Sequence, residues 1–489
     1  MSSRTGISSI IVLGIVLRIA QFLFNRSLTE GEAPLALNIL ERSYAGLLQP
    51  LGYVQAAPIG FLISEKFAST MLGTGEMALR LFPLIAGILA LVLFWQVVKK
   101  TLERSAIPVA LLLFSVGDHL IYFASEVKPY SGDVMVGLLI ILSCLWVLQN
   151  KLQPRYVLLL GVIGAVGFWF SYPAVFVFTA CILVSVLWIL HTKKYRMFWW
   201  LSIACLAALT SFLVQYLAVL RSSSTSPELL TFWQHAFAPL PPRSLSDIAW
   251  YGYVFLRMFK FPLGLWEYGL ILAVISFFTG CVVQFRKCRA VLGVVMFTLI
   301  FTFFASGLQL YPFEGRLLLF LTPLMLLPLA LGIVYLAKAI ANTSRLLGAV
   351  VVLLLIAYPV ANAGYRLIQP RAPEELRPAL EYVVSQYQDG DVLYVYYGAY
   401  NAFRYYQGRI GYTGDHIVGA ESRDDWSGYN NELQGLQGKK RVWILFSHVA
   451  TAFGADEEQL FISYLNTMGE RIDMKLEPGA AAYLYDLSP

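Results

Sequence analysis

The sequence predicts a mainly α protein: a polytopic bundle of transmembrane helices followed by a small α/β domain outside the bilayer. Three observations predict it. Of 489 residues, 58% are hydrophobic and only 13% charged, about half the ~25% charge of a soluble domain. Apolar runs of about 18 or more residues, long enough to cross a bilayer, recur from the N-terminus to residue 362. Beyond residue 370 that pattern stops, and shorter segments of helical and strand periodicity alternate.

The first run, Ile7 to Phe24, follows Met1-Ser2-Ser3-Arg4 and precedes Asn25-Arg26-Ser27-Leu28. That is not a small-residue cleavage site, so the run reads as an uncleaved helix. Further spans are expected at 78–98, 106–124, 132–149, 156–171, 173–190, 198–219, 265–284, 290–309, 317–337 and 346–362, which makes about eleven in all. At Ser171-Tyr172-Pro173 the chain either turns tightly or continues as one kinked helix, and the combined length favours two helices. Aromatic residues make up 15% of the chain, as interfacial belts require.

One set of short loops carries Arg4, Lys99, Lys100, Arg104, Lys151, Arg155, Lys193, Lys194, Arg196, Arg286, Lys287, Arg289, Lys338 and Arg345. The positive-inside rule assigns that set to the cytoplasm. The N-terminus is then cytoplasmic and the C-terminal domain extracytoplasmic, on a multi-pass protein of the cell (inner) membrane. The expected division is a membrane domain over 1–369, with outer loops 25–75 and 221–264, and an extracytoplasmic α/β domain over 370–489. The first loop holds amphipathic stretches such as Leu35 to Leu40 that suit short interfacial helices. The second opens with Ser222-Ser223-Ser224-Thr225-Ser226-Pro227 and carries Pro239, Pro241 and Pro242. In the C-terminal domain we expect a helix over 373–388, a turn at Asp389-Gly390-Asp391, strands at 392–397, 442–446 and 481–485, and a helix over 457–468.

Several function classes lack support. The net charge of +6 is spread along the chain with no basic tail, so a nucleic-acid partner is not expected. No Walker A or glycine-rich dinucleotide motif is present. The five cysteines, Cys144, Cys181, Cys205, Cys281 and Cys288, lie in or beside apolar spans with no disulfide or zinc spacing. His119, His191, His235, His416 and His448 show no ligand spacing and read as structural or solvated.

Ionisable residues near membrane depth are costly and mark function. Here they cluster on the outer side. Thr29-Glu30-Gly31-Glu32 follows the first helix; either carboxylate can serve as a general base, although acids also favour helix starts and on spacing alone that is the simpler reading. Glu126-Val127-Lys128-Pro129-Tyr130-Ser131-Gly132-Asp133 joins the third and fourth spans. Lys128 suits a lipid phosphate or a local ion pair with Glu126 or Asp133. Arg316, in Tyr311-Pro312-Phe313-Glu314-Gly315-Arg316, suits a bidentate anion or snorkels to headgroups. Arg42, Lys66, Arg257 and Lys260 are weaker sites of the same kind.

These segments, with Gln49 to Pro58 and Gly75 to Pro83 between them, resemble the GT-C superfamily of membrane glycosyltransferases. The resemblance is to the bacterial branch similar to dolichyl-phosphate-mannose protein mannosyltransferases and lipid A aminoarabinose transferases, over residues 7–362. It implies a glycosyltransferase that moves a sugar from a polyprenyl-phosphate donor to a glycolipid, glycan or protein acceptor at the outer face, with membrane lipid as its surroundings. The implied mechanism is an inverting displacement. The implied catalytic carboxylates are Glu32 and Glu30 in the first outer loop and Glu126 and Asp133 in the second. The family commonly has Asp-Glu where this chain has Gly31-Glu32, so either Glu30 or Glu32 stands in or the activity is altered or lost. Lys128 and Arg316 would hold the donor phosphate, with Tyr130, Gln55, Arg42 and Lys66 as further substrate-binding residues. No metal ligands are identified; no cofactor is required by any motif, and isolated acids leave a divalent metal open. Two other readings stand beside this one: a lipid or sugar transporter or flippase, which would place broken or charged helices at the midplane, and a non-catalytic relative of the superfamily.

Overall fold

The computed structural model describes residues 3–150, 152–221, 226–423, 425–451 and 456–488. Lys151 and the Ser222–Thr225 run lie outside the described residues. The chain divides into two compact units: Met1–Phe24 with Arg42–Pro370, and Asn25–Glu41 with Arg371–Pro489.

The first unit is helical. Among the described residues, nine helices are long and apolar enough to cross a membrane. The pair Ile107–Val116 and Asp118–Ser125, angled by 55°, is apolar enough to make a tenth span if it is counted as one. The break falls at Gly117, whose backbone leaves the helical region (ψ 112°) before Asp118 opens the second piece. The span expected at 156–171 is the helix Pro154–Gly167, 14 residues long, which reaches only about 21 Å against a core of ~30 Å. The chain then turns, and a separate helix runs Ala174–Thr192, so two helices rather than one kinked helix occupy this stretch. The frayed end is satisfied from a neighbouring helix: Gln215 Nε2 donates to the Phe168 carbonyl at 2.7 Å, and Trp169 Nε1 donates to Ser211 Oγ at 2.9 Å.

Lipid-facing helices gain little from burying apolar surface against one another, so small residues decide how closely they approach. The helices Leu270–Lys287 and Thr322–Ala341 show this most clearly. A Cβ on Gly332 would lie 1.6 Å from the Ser276 carbonyl oxygen, and one on Gly280 would lie 1.7 Å from that of Pro328. The two backbones therefore touch through Ser276-xxx-Gly280 and Pro328-xxx-Gly332, with Pro328 itself inside its helix.

The second unit carries a mixed five-stranded sheet. Its strands are β1 Val392–Val395, β2 His416–Val418, β3 Val442–Ser447, β4 Glu470–Glu477 and β5 Ala480–Asp486, in the order β2-β1-β3-β5-β4. β1 pairs parallel with β2 and β3, while β5 pairs antiparallel with β3 and β4. β3 is buried at every position, as a strand covered on both faces must be. β4 alternates charged and apolar residues on the open edge, where charge discourages further pairing. The turn before β1 is built as its residues suggest. Gly390 takes φ 92°, and the buried Asp391 carboxylate accepts from Arg441 Nε at 2.7 Å and Trp443 Nε1 at 3.0 Å.

The segment 25–41, expected as part of an outer loop of the membrane domain, belongs to the C-terminal unit instead. The physical reason is a row of polar anchors. The Glu375 carboxylate accepts from Ser27 N and Ser27 Oγ at 3.2 and 2.9 Å. Leu28 N donates to Tyr406 OH at 2.7 Å, and Glu30 N donates to Glu374 at 2.6 Å. Arg377 donates to the Asn25 carbonyl at 2.8 Å, and Arg404 pairs with Glu41 at 2.9 Å.

Two outcomes follow. Gly332→Val should cost most of the folded, monodisperse protein recovered in detergent, whereas Gly364→Ala, where nothing lies within 4 Å of the new methyl, should be recovered like wild type; size-exclusion profiles check this. Glu375→Gln combined with Tyr406→Phe should speed amide exchange across residues 25–32 at least tenfold while leaving β3 protected, as hydrogen-exchange mass spectrometry would show.

Candidate functional site

The site grows from the link between the bent crossing and the helix Tyr130–Gln149. Lys128 N donates to the Glu126 carbonyl at 2.7 Å, a three-residue turn. Pro129 then opens the helix, and Asp133 N returns to the Pro129 carbonyl at 2.9 Å. This compact link carries Glu126, Lys128 and Asp133, whose side chains are 3%, 8% and 5% exposed. So little water around three ionisable groups is costly unless they serve each other or a ligand.

Lys128 Nζ donates to Gln55 Oε1 at 2.7 Å. An ammonium only donates, which fixes the amide with its oxygen toward the lysine. Gln55 reaches this position because Tyr53 and Val54 both adopt positive φ (59° and 53°), folding the first outer segment back on itself. The same segment is pinned further along. Tyr172 OH donates to the Ala57 carbonyl at 2.8 Å, and Gly60 N donates to the Trp169 carbonyl at 2.7 Å. A Cβ on Gly60 would itself lie 2.7 Å from that oxygen, so glycine is needed for the approach. Ser171 and Tyr172 lie beside Asp133.

Arg316 enters from the other end of the unit. Its guanidinium carbon stands 6.0 Å from the Tyr130 ring centroid, within electrostatic reach of Glu126 and Tyr122. Gly315, at φ 50°, supplies the left-handed turn that sends Arg316 this way. Tyr311 completes the group beside Asp133 and Tyr130. The structure thus brings together six of the residues singled out by sequence: Glu126, Lys128, Tyr130, Asp133, Gln55 and Arg316. Two cations and two carboxylates around aromatic rings are suited to an anionic phosphate with a polar, hydroxylated group attached.

The other predicted residues have different surroundings. Glu30 and Glu32 belong to the C-terminal unit. Glu32 is fully buried, paired with the equally buried Arg26, and accepts from Thr29 N at 3.2 Å and Thr29 Oγ1 at 3.4 Å. Thr29 and Glu32 thus form a helix start for Ala33–Glu41, and the helix-start reading holds for Glu32. Glu30 Oε1 accepts from Asn401 Nδ2 at 2.6 Å. Its anchor Glu374 also holds His448 Nδ1 at 2.8 Å, and that contact raises the His448 pKa. Arg42 donates to the carbonyls of Gly46 and Pro50 at 3.3 and 2.9 Å, so it organises its own loop. Lys66 is half-buried on the helix Ile59–Leu72.

Beside Lys66 stands a residue that sequence reading passed over. Glu65 is fully buried, and neither carboxylate oxygen has a hydrogen-bond partner among the described residues. The helix is inverted relative to a soluble one: Ile63, Phe67, Met71 and Leu72 are exposed, while Phe61, Leu62, Glu65, Ala68 and Ser69 face inward. Burial pushes the Glu65 carboxyl well above its ordinary range. The signal was present in the spacing, since position 65 falls on the 61/62–65–68/69 stripe. Among the described residues no group of three or more His, Cys, Asp or Glu side chains could hold a metal ion.

Residues 56–220 match the profile of the dolichyl-phosphate-mannose-protein mannosyltransferase family. No curated protein matches the chain by sequence. Among solved structures, the chain is similar to ArnT from Cupriavidus metallidurans bound to undecaprenyl phosphate, with a TM-score of 0.56 at 11% identity over 98% of both chains. It is similar to the apo form of that protein with a TM-score of 0.55 at 12% identity, over 99% of this chain and 98% of that one. The archaeal oligosaccharyltransferase AglB from Archaeoglobus fulgidus, in complex with an inhibitory peptide and a dolichol-phosphate, gives 0.50 at 10% identity over 98% of this chain and 74% of that one. The chain shares the fold of ArnT over nearly the whole length of both proteins.

Glu65 gives a pH-dependent outcome. An acid whose pKa is raised on folding is protonated in the native state and ionises more readily once unfolded. It costs stability increasingly as pH rises above about 4.5 toward the folded value. Glu65→Gln should therefore raise the thermal midpoint in detergent by several degrees at pH 8 and leave it nearly unchanged at pH 4.5. A midpoint unchanged or lowered at pH 8 would contradict the neutral, unpartnered acid.

Proposed function

From a chain that carries the GT-C fold over nearly its whole length, we infer a membrane glycosyltransferase that moves a sugar from a polyprenyl-phosphate donor to a glycolipid, glycan or protein acceptor on the outer face. The observation that carries this reading is the gathering of buried Lys128 and half-buried Arg316 with Glu126, Asp133 and Tyr130 at one end of the helices that supply them. Undecaprenyl phosphate bound to ArnT and dolichol-phosphate in the AglB complex support a lipid phosphate as the ligand class. The loops rich in Lys and Arg support a cytoplasmic N-terminus and an extracytoplasmic C-terminal unit in the cell membrane.

The transfer needs little acid catalysis. A carboxylate takes the proton of the acceptor hydroxyl or amine, the acceptor attacks the anomeric carbon, and the C–O bond to phosphate breaks with inversion. The leaving lipid phosphate requires no proton when cations stabilise its charge, and Lys128 and Arg316 are the groups assigned that task. Glu126 and Asp133 orient the acceptor. The base is assigned to the first outer loop by resemblance. Of its two acids, Glu32 is neutralised by Arg26 and fixed to the helix start, so Glu30 takes that role and Glu32 holds the loop.

Mass spectrometry of envelope glycolipids and glycoproteins, from cells with and without the protein, tests the reading. At least one sugar-bearing species should vanish on deletion and return with wild type. Arg316→Gln, Lys128→Gln and Glu30→Gln should each restore less than about one hundredth of it at equal protein level, while Glu32→Gln should mainly lower the amount of folded protein. An unchanged set of glycans on deletion would remove the transferase reading. Full restoration by Glu30→Gln would remove its base.

A further inference from the structure

A second feature of the membrane unit lies next to the phosphate-binding cluster. A cavity of about 260 Å³ opens between the amphipathic helix Leu245–Lys260 and the turn at 313–318. Its walls include Trp250, Tyr253, Phe261 and Phe313, and its polar side is Glu314 and Arg257. Glu314 is clamped at both oxygens: Arg257 Nη1 lies 2.8 Å from Oε1, and His235 Nε2 lies 2.8 Å from Oε2. Each oxygen keeps a further acceptor site, because a carboxylate offers about four lone-pair directions. The turn is tied to the second outer loop, with Phe313 N donating to the Ala236 carbonyl at 2.8 Å.

The cavity lining reaches Gly315, the residue before Arg316. Glu314 and Arg316 flank Gly315, whose positive φ turns their side chains to different neighbours. An aromatic wall joins the two places. The cavity residue Phe261 meets Phe123 edge-on at 6.2 Å, Phe123 meets Tyr130 edge-on at 5.2 Å, and Arg316 stands over Tyr130. A ligand with its phosphate at Arg316 and Lys128 can follow this wall and place its attached group against Trp250, Tyr253 and Glu314. Aromatic faces with one oriented carboxylate are chemistry for a polyhydroxylated ring: C–H faces pack on the rings while hydroxyls donate to the carboxylate.

We propose that this cavity receives the monosaccharide of the lipid-linked donor, with Glu314 accepting hydrogen bonds from its hydroxyls and Arg257 and His235 as positioning residues that hold the carboxylate. The assignment rests on the transferase reading and adds the residues that select the sugar.

The test is native mass spectrometry of the full chain in nanodiscs with two probes: undecaprenyl phosphate, and undecaprenyl-phosphate-linked hexoses and aminopentose. Wild type should bind at least one sugar-bearing lipid more tightly than the bare phosphate. Glu314→Gln and Tyr253→Ala should each weaken that sugar-bearing lipid about tenfold or more and leave undecaprenyl phosphate within twofold. Arg316→Gln should weaken both probes. Tyr253 is 61% exposed, so its replacement reads out the cavity without disturbing the core. If wild type binds neither probe, the transferase reading fails. If both probes bind and the Glu314 and Tyr253 variants weaken them equally or not at all, the sugar cavity fails alone. Intact donor binding with slowed transfer would assign the cavity to the acceptor and overturn the proposal as well.

Discussion

A lysine ammonium held almost out of water sets the terms for the membrane unit. Lys128 is 8% exposed, and the penalty for burying an uncompensated charge runs to several kcal/mol even after relaxation. The fold meets it with the Gln55 amide oxygen, and that one contact imposes a chain of further requirements. Gln55 must come from a segment with two consecutive residues at positive φ. That segment must be pinned by Tyr172 at Ala57 and by the close approach of Gly60 to Trp169. The turn at 171–173, where two helices meet, is thereby part of the binding region although it carries no charge of its own. The Gln55 amide oxygen solvates the ammonium at 2.7 Å.

Arg316 obeys the same constraint by another route. A guanidinium stays charged wherever it is put, so the structure gives it the face of Tyr130 and the field of Glu126. Both cations approach the short link 126–130, which explains why that link is so tightly turned: any slack in it would part the charges. The carboxylates supply electrostatic balance when no ligand is present, and they are well placed to engage a hydroxyl or amine when one is.

Much of this was legible in the sequence because burial in lipid leaves long apolar runs. The expected spans correspond to observed helices, down to the separate helices on either side of Ser171–Pro173. The compact strands β1, β3 and β5 were legible for the same reason, being apolar. What escaped was set by partners distant in sequence or by faces rather than runs. β2 is three exposed residues, and β4 alternates charge on an edge, so neither makes an apolar run. The docking of 25–41 depends on Ser27 meeting Glu375, 348 residues away, and nothing local to either residue announces it. Glu32 is paired with Arg26 and bound by Thr29 at the start of its helix, partners that its spacing alone does not announce. Glu65 is legible only when it is placed on the inward stripe of its helix, with Phe61, Leu62, Ala68 and Ser69.

The division of the chain also bears on how such an enzyme would keep its rate and its selectivity apart. Charge stabilisation of a departing phosphate is indifferent to which sugar is attached, so Lys128 and Arg316 alone would accelerate transfer of any donor they could hold. Selectivity requires groups that touch the sugar and not the phosphate, because a site built to accept hydroxyl hydrogen bonds penalises a ligand that cannot supply them. Glu314 and Arg316 are two residues apart but face different neighbours across a glycine at φ 50°. A side chain at position 315 would strain that backbone and press on Phe261. In the proposed assignment the glycine therefore matters to both functions at once: it separates the group that would fix the phosphate from the group that would read the ring, while keeping them two residues apart.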